Sequence, residues 1–138
     1  MNNRKMGNSF EAEFCEILAA HGFWAHNMAQ NSAGQPADVI AAKRDSSTLI
    51  DCKVCSNRGF VLSRIEDNQH LAMEMWEDRV GTCCWFALKL NDGAIFLFAH
   101  VALMNYVKHG AKQINEQFIR ENGVPLDKWM AMFEVRCE

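Results

Sequence analysis

The sequence predicts an α/β domain with a mixed central β-sheet flanked by helices. Apolar residues recur at helical spacing in Phe10, Phe14, Ile17 and Leu18, while short apolar runs bounded by turn signals read as strands. The two patterns alternate along the chain: helix, three strands, helix, two strands, then helical pieces. A length of 138 residues suits one domain, 1–138, built on one core.

The first helix is expected over residues 9–21. Asn8 and Glu11 have the spacing of a capping box, Gly22 supplies a stop, and Arg4 and Lys5 fall on an arm ahead of the helix. Residues 23–28 read as a strand, and 29–37, A-Q-N-S-A-G-Q-P-A, as a polar loop delivering the chain to Asp38. A strand opening at Asp38, a turn at Asp45, Ser46 and Ser47, and a strand over 48–54 make a hairpin. After a loop at 55–60, Ser63 and Glu66 form a second capping box opening a helix to Arg79, with Ile65, Leu71, Ala72, Met75 and Trp76 as its buried stripe. Strands at 82–90 and 94–99 flank the Asn91-Asp92-Gly93 turn. Helices follow at 101–108, ended by Gly110, and at 113–121, stopped by Gly123; the remaining tail has no secure pattern.

Composition excludes several classes. With 49% hydrophobic and 22% charged residues and two prolines, the chain is neither disordered nor fibrous. No apolar run approaches the roughly 18 residues of a membrane span, and the N-terminus lacks an apolar signal core, so the expected location is the cytoplasm. In that setting the six cysteines are expected as reduced thiols. Cys52 and Cys55, an odd number apart on a strand, point to opposite faces and do not suit a shared zinc ion. The net charge of −3 hides an asymmetry. Seven basic and six acidic residues through Arg64 give +1, whereas seven and eleven beyond it give −4.

The chemistry centres on residues 36–53. Side chains alternate along a strand, so Asp51 and Lys53 share a face, and an antiparallel neighbour beginning at Asp38 brings a second carboxylate to the same end of the hairpin. Charges in the apolar run L-I-D-C-K-V demand a reason. Two carboxylates suit a hard cation such as Mg²⁺, which takes oxygen ligands and retains waters. Such a metal activates water and clamps phosphoryl oxygens, and a lysine beside it orients that water or neutralises the attacked phosphate. His21, His26, His70, His100 and His109 form no H-x-x-x-H and no close pair in sequence, so a zinc or histidine-triad hydrolase is not expected. Trp24, Trp76, Trp85 and Trp129 are expected in the core, an exposed one serving at a dimer contact.

The combination of a helix bearing Glu11, Pro36-x-Asp38 and Asp51-x-Lys53 resembles the PD-(D/E)xK nuclease superfamily. The resemblance implies a restriction-endonuclease-like core. G-N-S-F-E-A-E-F-C-E-I-L-A-A-H-G-F and the N-S-A-G loop are similar to archaeal-type Holliday-junction resolvases. N-R-G-F-V-L-S-R-I-E-D-N-Q-H and F-I-R-E-N-G-V-P-L are similar to RecU-type resolvases. By that resemblance Asp38, Asp51 and Glu11 are metal ligands for Mg²⁺, with Mn²⁺ a possible substitute. Lys53 is the catalytic lysine, and Gln69 orders the site. Arg4, Lys5, Ser32, Arg58 and Phe60 are the implied DNA contacts, while Glu13 and Glu16 remain solvated helix face. The nine residues 29–37 leave little room for the RecU-type stalk, and Ala37 stands where some relatives have a hydroxyl.

The implied activity is a Mg²⁺-dependent endodeoxyribonuclease acting on branched DNA, most simply a Holliday-junction resolvase. Two-fold cutting of a symmetric junction calls for two sites and hence a homodimer. The alternatives are another repair or restriction-like nuclease, or an inactive DNA-binding subunit of a recombination complex.

Overall fold

The computed structural model describes residues 3–28 and 37–134, with side chains from Ser9 onward. The first helix, α1 (Asn3–Ala20), begins well before the expected position. Arg, Lys and Met are strong helix formers, and their preference outweighs the glycine at position 7. Asn8 therefore lies inside the helix instead of capping it, and Arg4 and Lys5 belong to its first turn. Phe10, Phe14 and Leu18 form the buried stripe. Gly22, at φ 87, ends the helix, with Phe23 N–H donating to Leu18 O at 3.0 Å and Gly22 N–H to Ala19 O at 3.2 Å. This pair of bonds is a Schellman closure.

Strands β1 (Trp24–Asn27), β2 (Val39–Lys43) and β3 (Ser46–Val54) form an antiparallel meander. The β2–β3 turn consists of only Arg44 and Asp45, with Arg44 at φ 53. Ser46 and Ser47 pair in the ladder instead of turning. β4 (Phe60–Val61) and a 3-10 turn (Leu62–Arg64) precede α2 (Asp67–Arg79), which carries the chain across to β5 (Trp85–Lys89), parallel to β3. A parallel neighbour requires such a crossover. β6 (Ile95–Ala99) returns antiparallel, its turn closed by Ala94 N–H on Asp92 Oδ1 at 3.0 Å.

α3 (His100–Lys108) follows β6 directly. The helix expected over 113–121 is divided: β7 (Gln113–Ile114) pairs with β4, and α4 (Glu116–Asn122) starts only after Asn115 accepts Phe118 N–H at 2.8 Å. That side-chain cap fixes the helix start where periodicity alone did not. β8 (Val124–Pro125) and α5 (Leu126–Ala131) complete the unplaced tail.

The main sheet runs β1-β2-β3-β5-β6-β8 and separates two cores. Phe10, Phe14, Leu18, Ile50, Cys52 and Trp129 pack on the α1 and α5 side. Leu49, Cys55, Phe60, Met73, Phe86 and Leu103 pack beneath α2, α3 and α4. Cys52 and Cys55 thus fall on opposite sides, as strand alternation requires.

The expected stripe on α2 needs correction. Met73 is buried and Trp76 half-buried, whereas Leu71 and Met75 are exposed because the helix packs through its 69/73/76 face. Trp24 is 62% exposed on edge strand β1, stacked on His26, and is not a core residue. Among the described residues no helix is long and apolar enough to cross a membrane.

Candidate active site

The β2–β3 register places Val39 opposite Ile50, so Asp38 stands at the mouth of the hairpin beside Asp51. Asp38 Oδ2 accepts the Cys52 N–H at 2.8 Å, fixing this carboxylate against the partner strand. Asp51 is completely buried. Its Oδ1 accepts from Gln69 Nε2 at 3.0 Å, and the Lys53 ammonium lies 3.0 Å from Oδ2. Glu11 approaches from α1, on the other side of the sheet, and is also buried. The acidic group therefore straddles both layers at one rim of the sheet.

Gln69 reaches the site because α2 begins where it does. Glu66, not Ser63, caps the helix: its carboxylate accepts the Gln69 backbone N–H, while Gln69 Oε1 receives the Glu66 N–H at 3.4 Å. The same Oε1 lies 3.5 Å from Lys53 Nζ. One amide thus closes a helix cap and touches both members of the Asp51–Lys53 pair. This double use makes Gln69 a residue whose rotamer is held from three directions.

The electrostatics are those of crowded anions. Burial first, then the Asp38 charge and a hydrogen bond to it, raise the Glu11 carboxyl from 4.5 to about 7, with Lys53 opposing. Burial and Asp38 likewise hold the Asp51 carboxyl well above the usual range, against the pull of Lys53. Three acids and one lysine leave an excess of negative charge that a divalent cation would relieve.

Among the described residues no three His, Cys, Asp or Glu side chains are gathered closely enough to cage a metal by themselves. The donor set nevertheless fits Mg²⁺, an ion commonly held by one or two carboxylates with waters and substrate phosphates completing its shell. The buried Asp51 Oδ2 is met by the Lys53 ammonium at 3.0 Å and by no neutral donor, an environment that a divalent cation would share.

The other candidates divide. Phe60 is wholly buried under α2 and cannot stack on a base, because the short β4 strand turns its ring into the core. Arg58 is exposed. Ser32 lies outside the described residues, and for Arg4 and Lys5 the description extends only to their helical backbone. Glu13, expected to be solvated, pairs with Lys89 at 2.8 Å.

The fold also makes a close histidine pair that the sequence spacing concealed. His70 Nδ1 and His100 Nε2 are 2.8 Å apart, and His100 Nδ1 meets Glu77 Oε1 at 2.8 Å. Glu77 Oε2 accepts the Cys84 N–H at 3.0 Å. This chain of bonds ties α2, one residue beyond Gln69, to the start of α3 and the entry to β5. Its members are far apart in sequence, and only the packing of α2 against α3 joins them.

A family model described as archaeal Holliday junction resolvase matches residues 1–136. No curated protein matches the chain. Among solved structures, the Holliday junction resolvase Hjc of the archaeal hyperthermophile Archaeoglobus fulgidus superposes with a TM-score of 0.70. It is 19% identical, and the match covers 90% of this chain and 99% of that one.

Proposed function

The chain belongs to the archaeal Holliday junction resolvase family, and on that premise we propose that it is a Mg²⁺-dependent endodeoxyribonuclease resolving four-way DNA junctions as a homodimer. The observation that carries the chemistry is the fully buried Asp51, with Lys53 on one oxygen and Gln69 on the other. A buried carboxylate held beside a lysine, facing further acids, is costly to maintain for structure alone.

Asp38 and Asp51 would hold the metal, with Glu11 as the third acid of the cluster. When bound, Mg²⁺ polarises the phosphoryl group and supplies an activated water. Hydrolysis adds water across one P–O bond. The Lys53 ammonium faces the charge that gathers on the phosphoryl oxygens, or orients the attacking water, and Asp51 keeps that ammonium in place. Gln69 restrains both groups, so that little reorganisation is needed when substrate arrives. Mn²⁺, with similar oxygen ligands, is expected to substitute. Branched DNA as the substrate is consistent with work in the cytoplasm.

A four-way junction, a matched linear duplex and a flap, each incubated with Mg²⁺ or EDTA, test the proposal. Paired symmetric cuts in the junction, absent in EDTA and in Asp51→Asn, are the expected result. Equal cutting of all duplexes would reassign the chain to a general repair or restriction-like nuclease, and binding without metal-dependent cleavage would remove the enzymatic role.

A further inference from the structure

Beyond the acidic rim, the small β4–β7 ribbon gathers positive charge. Arg58 precedes β4, Arg64 closes the 3-10 turn after it, and Lys112 precedes β7. All three side chains are exposed. The Lys112 backbone is fixed beside the turn because its carbonyl accepts the Leu62 N–H at 2.9 Å. The Arg58 carbonyl accepts from Gln113 Nε2 across the ribbon. Arg64 donates through one guanidinium nitrogen to Val54 O at 2.8 Å, with its Cζ 5.6 Å from the centroid of the Phe60 ring. Val54 follows Lys53 on β3, so this guanidinium is anchored one residue beyond the catalytic lysine.

The ribbon is short but rigid. Phe60 and Ile114 plug it into the core. Gly59, at φ 95, lets the strands approach so closely that a Cβ there would sit 2.1 Å from the Ile114 carbonyl oxygen. Among the described residues Arg58, Arg64 and Lys112 have no carboxylate at ion-pair distance, whereas Lys89 and Arg120 do. Glu66, the acid nearest Arg64 in sequence, is engaged at the helix cap. Three cations without carboxylate partners stand on a backbone scaffold held by hydrogen bonds, and Arg64 is already oriented by Val54 O, which lowers its ordering cost on binding an anion.

We propose that this ribbon is a phosphate-binding ridge, in which Arg58, Arg64 and Lys112 grip the backbone of one duplex arm and align its scissile phosphate with Lys53. The ridge rests on the reading of the chain as a junction nuclease. Its contacts are to sugar-phosphate backbone and carry no base sequence. Arg64 uses one donor on Val54, and the rest of its planar fork suits a phosphate better than an ammonium would.

Equilibrium binding of a four-way junction in Ca²⁺, followed by fluorescence anisotropy between 50 and 300 mM KCl, tests the ridge. Each lost phosphate contact removes about 0.9 from the slope of log K against log salt. Arg64→Gln/Lys112→Gln should flatten the slope by about 2 and weaken binding at low salt roughly tenfold or more. Arg79→Gln, at the far end of α2, should behave as wild type. Arg64→Lys should retain most of the slope, and Lys112→Gln alone should lose about 1. Circular dichroism checks that each variant is folded.

Unchanged binding in the folded double variant, or an equal loss in Arg79→Gln, would overturn the ridge while leaving the nuclease reading intact. That reading is judged on the wild type alone, through metal-dependent cutting of the junction. A wild type that binds no DNA would overturn both.

Discussion

Replacing Glu11 by Gln should reduce a pH-dependent weakness of the metal-free protein. In the folded chain the Glu11 carboxyl is raised from 4.5 to about 7, chiefly by burial and by Asp38. A carboxyl that binds its proton more tightly when folded favours the folded state most at low pH. Stability then falls as pH rises from about 4.5 through 7. At about 1.4 kcal/mol per pH unit of displacement, the loss attributable to this group is at most about 3 kcal/mol. For a chain of this length that corresponds to roughly 10 °C in Tm.

The assay is thermal and urea unfolding in EDTA at pH 5 and pH 8. Wild type should lose stability over this interval, and Glu11→Gln should lose less because one anion has left the cluster. Asp51, shifted in the same direction, leaves a residual slope in both proteins. Mg²⁺ at pH 8 should recover more stability in the wild type than in the variant. Parallel pH profiles for the two proteins would refute the account of crowded, mutually raised acids.

Other residues give sharper structural readouts. Gln69→Ala removes the restraint on both Asp51 and Lys53; single-turnover cleavage should slow by about ten- to hundredfold while junction affinity in Ca²⁺ stays near wild type. Phe60→Ala opens a cavity in the core under α2, and urea unfolding should show a loss of about 3–5 kcal/mol. Gly59→Ala places a methyl group against the Ile114 carbonyl oxygen at positive φ, so it should destabilise by about 2 kcal/mol or more, visible as a lower denaturant midpoint. His100→Ala leaves Glu77 and His70 without their shared partner, and a thermal melt should register a loss of about 2–4 kcal/mol.

What was legible in the sequence was what depends on short-range periodicity. The β2–β3 hairpin and the shared face of Asp51 and Lys53 follow from strand alternation, and their approach to Asp38 follows from antiparallel pairing. The helix boundaries were less legible. The sequence pattern makes Ser63 the cap with Glu66 as the third residue of its box; the helix starts one turn later, with Glu66 as the cap, where Gln69 serves the cap and Asp51 together. The sequence places Phe60 in the 55–60 loop and, through the family resemblance, among the DNA contacts; pairing of β4 with β7, far along the chain, turns it inward. The His70–His100 pair was hidden for the same reason, since no local pattern encodes a contact between α2 and α3.

The most direct test of the central claim uses a supercoiled plasmid that extrudes a cruciform, incubated with the wild-type protein and Mg²⁺. Resolution by two coordinated sites predicts linear plasmid as the main product, with none formed in EDTA, by Lys53→Met, or on the same plasmid lacking the inverted repeat. Nicked circles alone, or linear product independent of the cruciform, would contradict it.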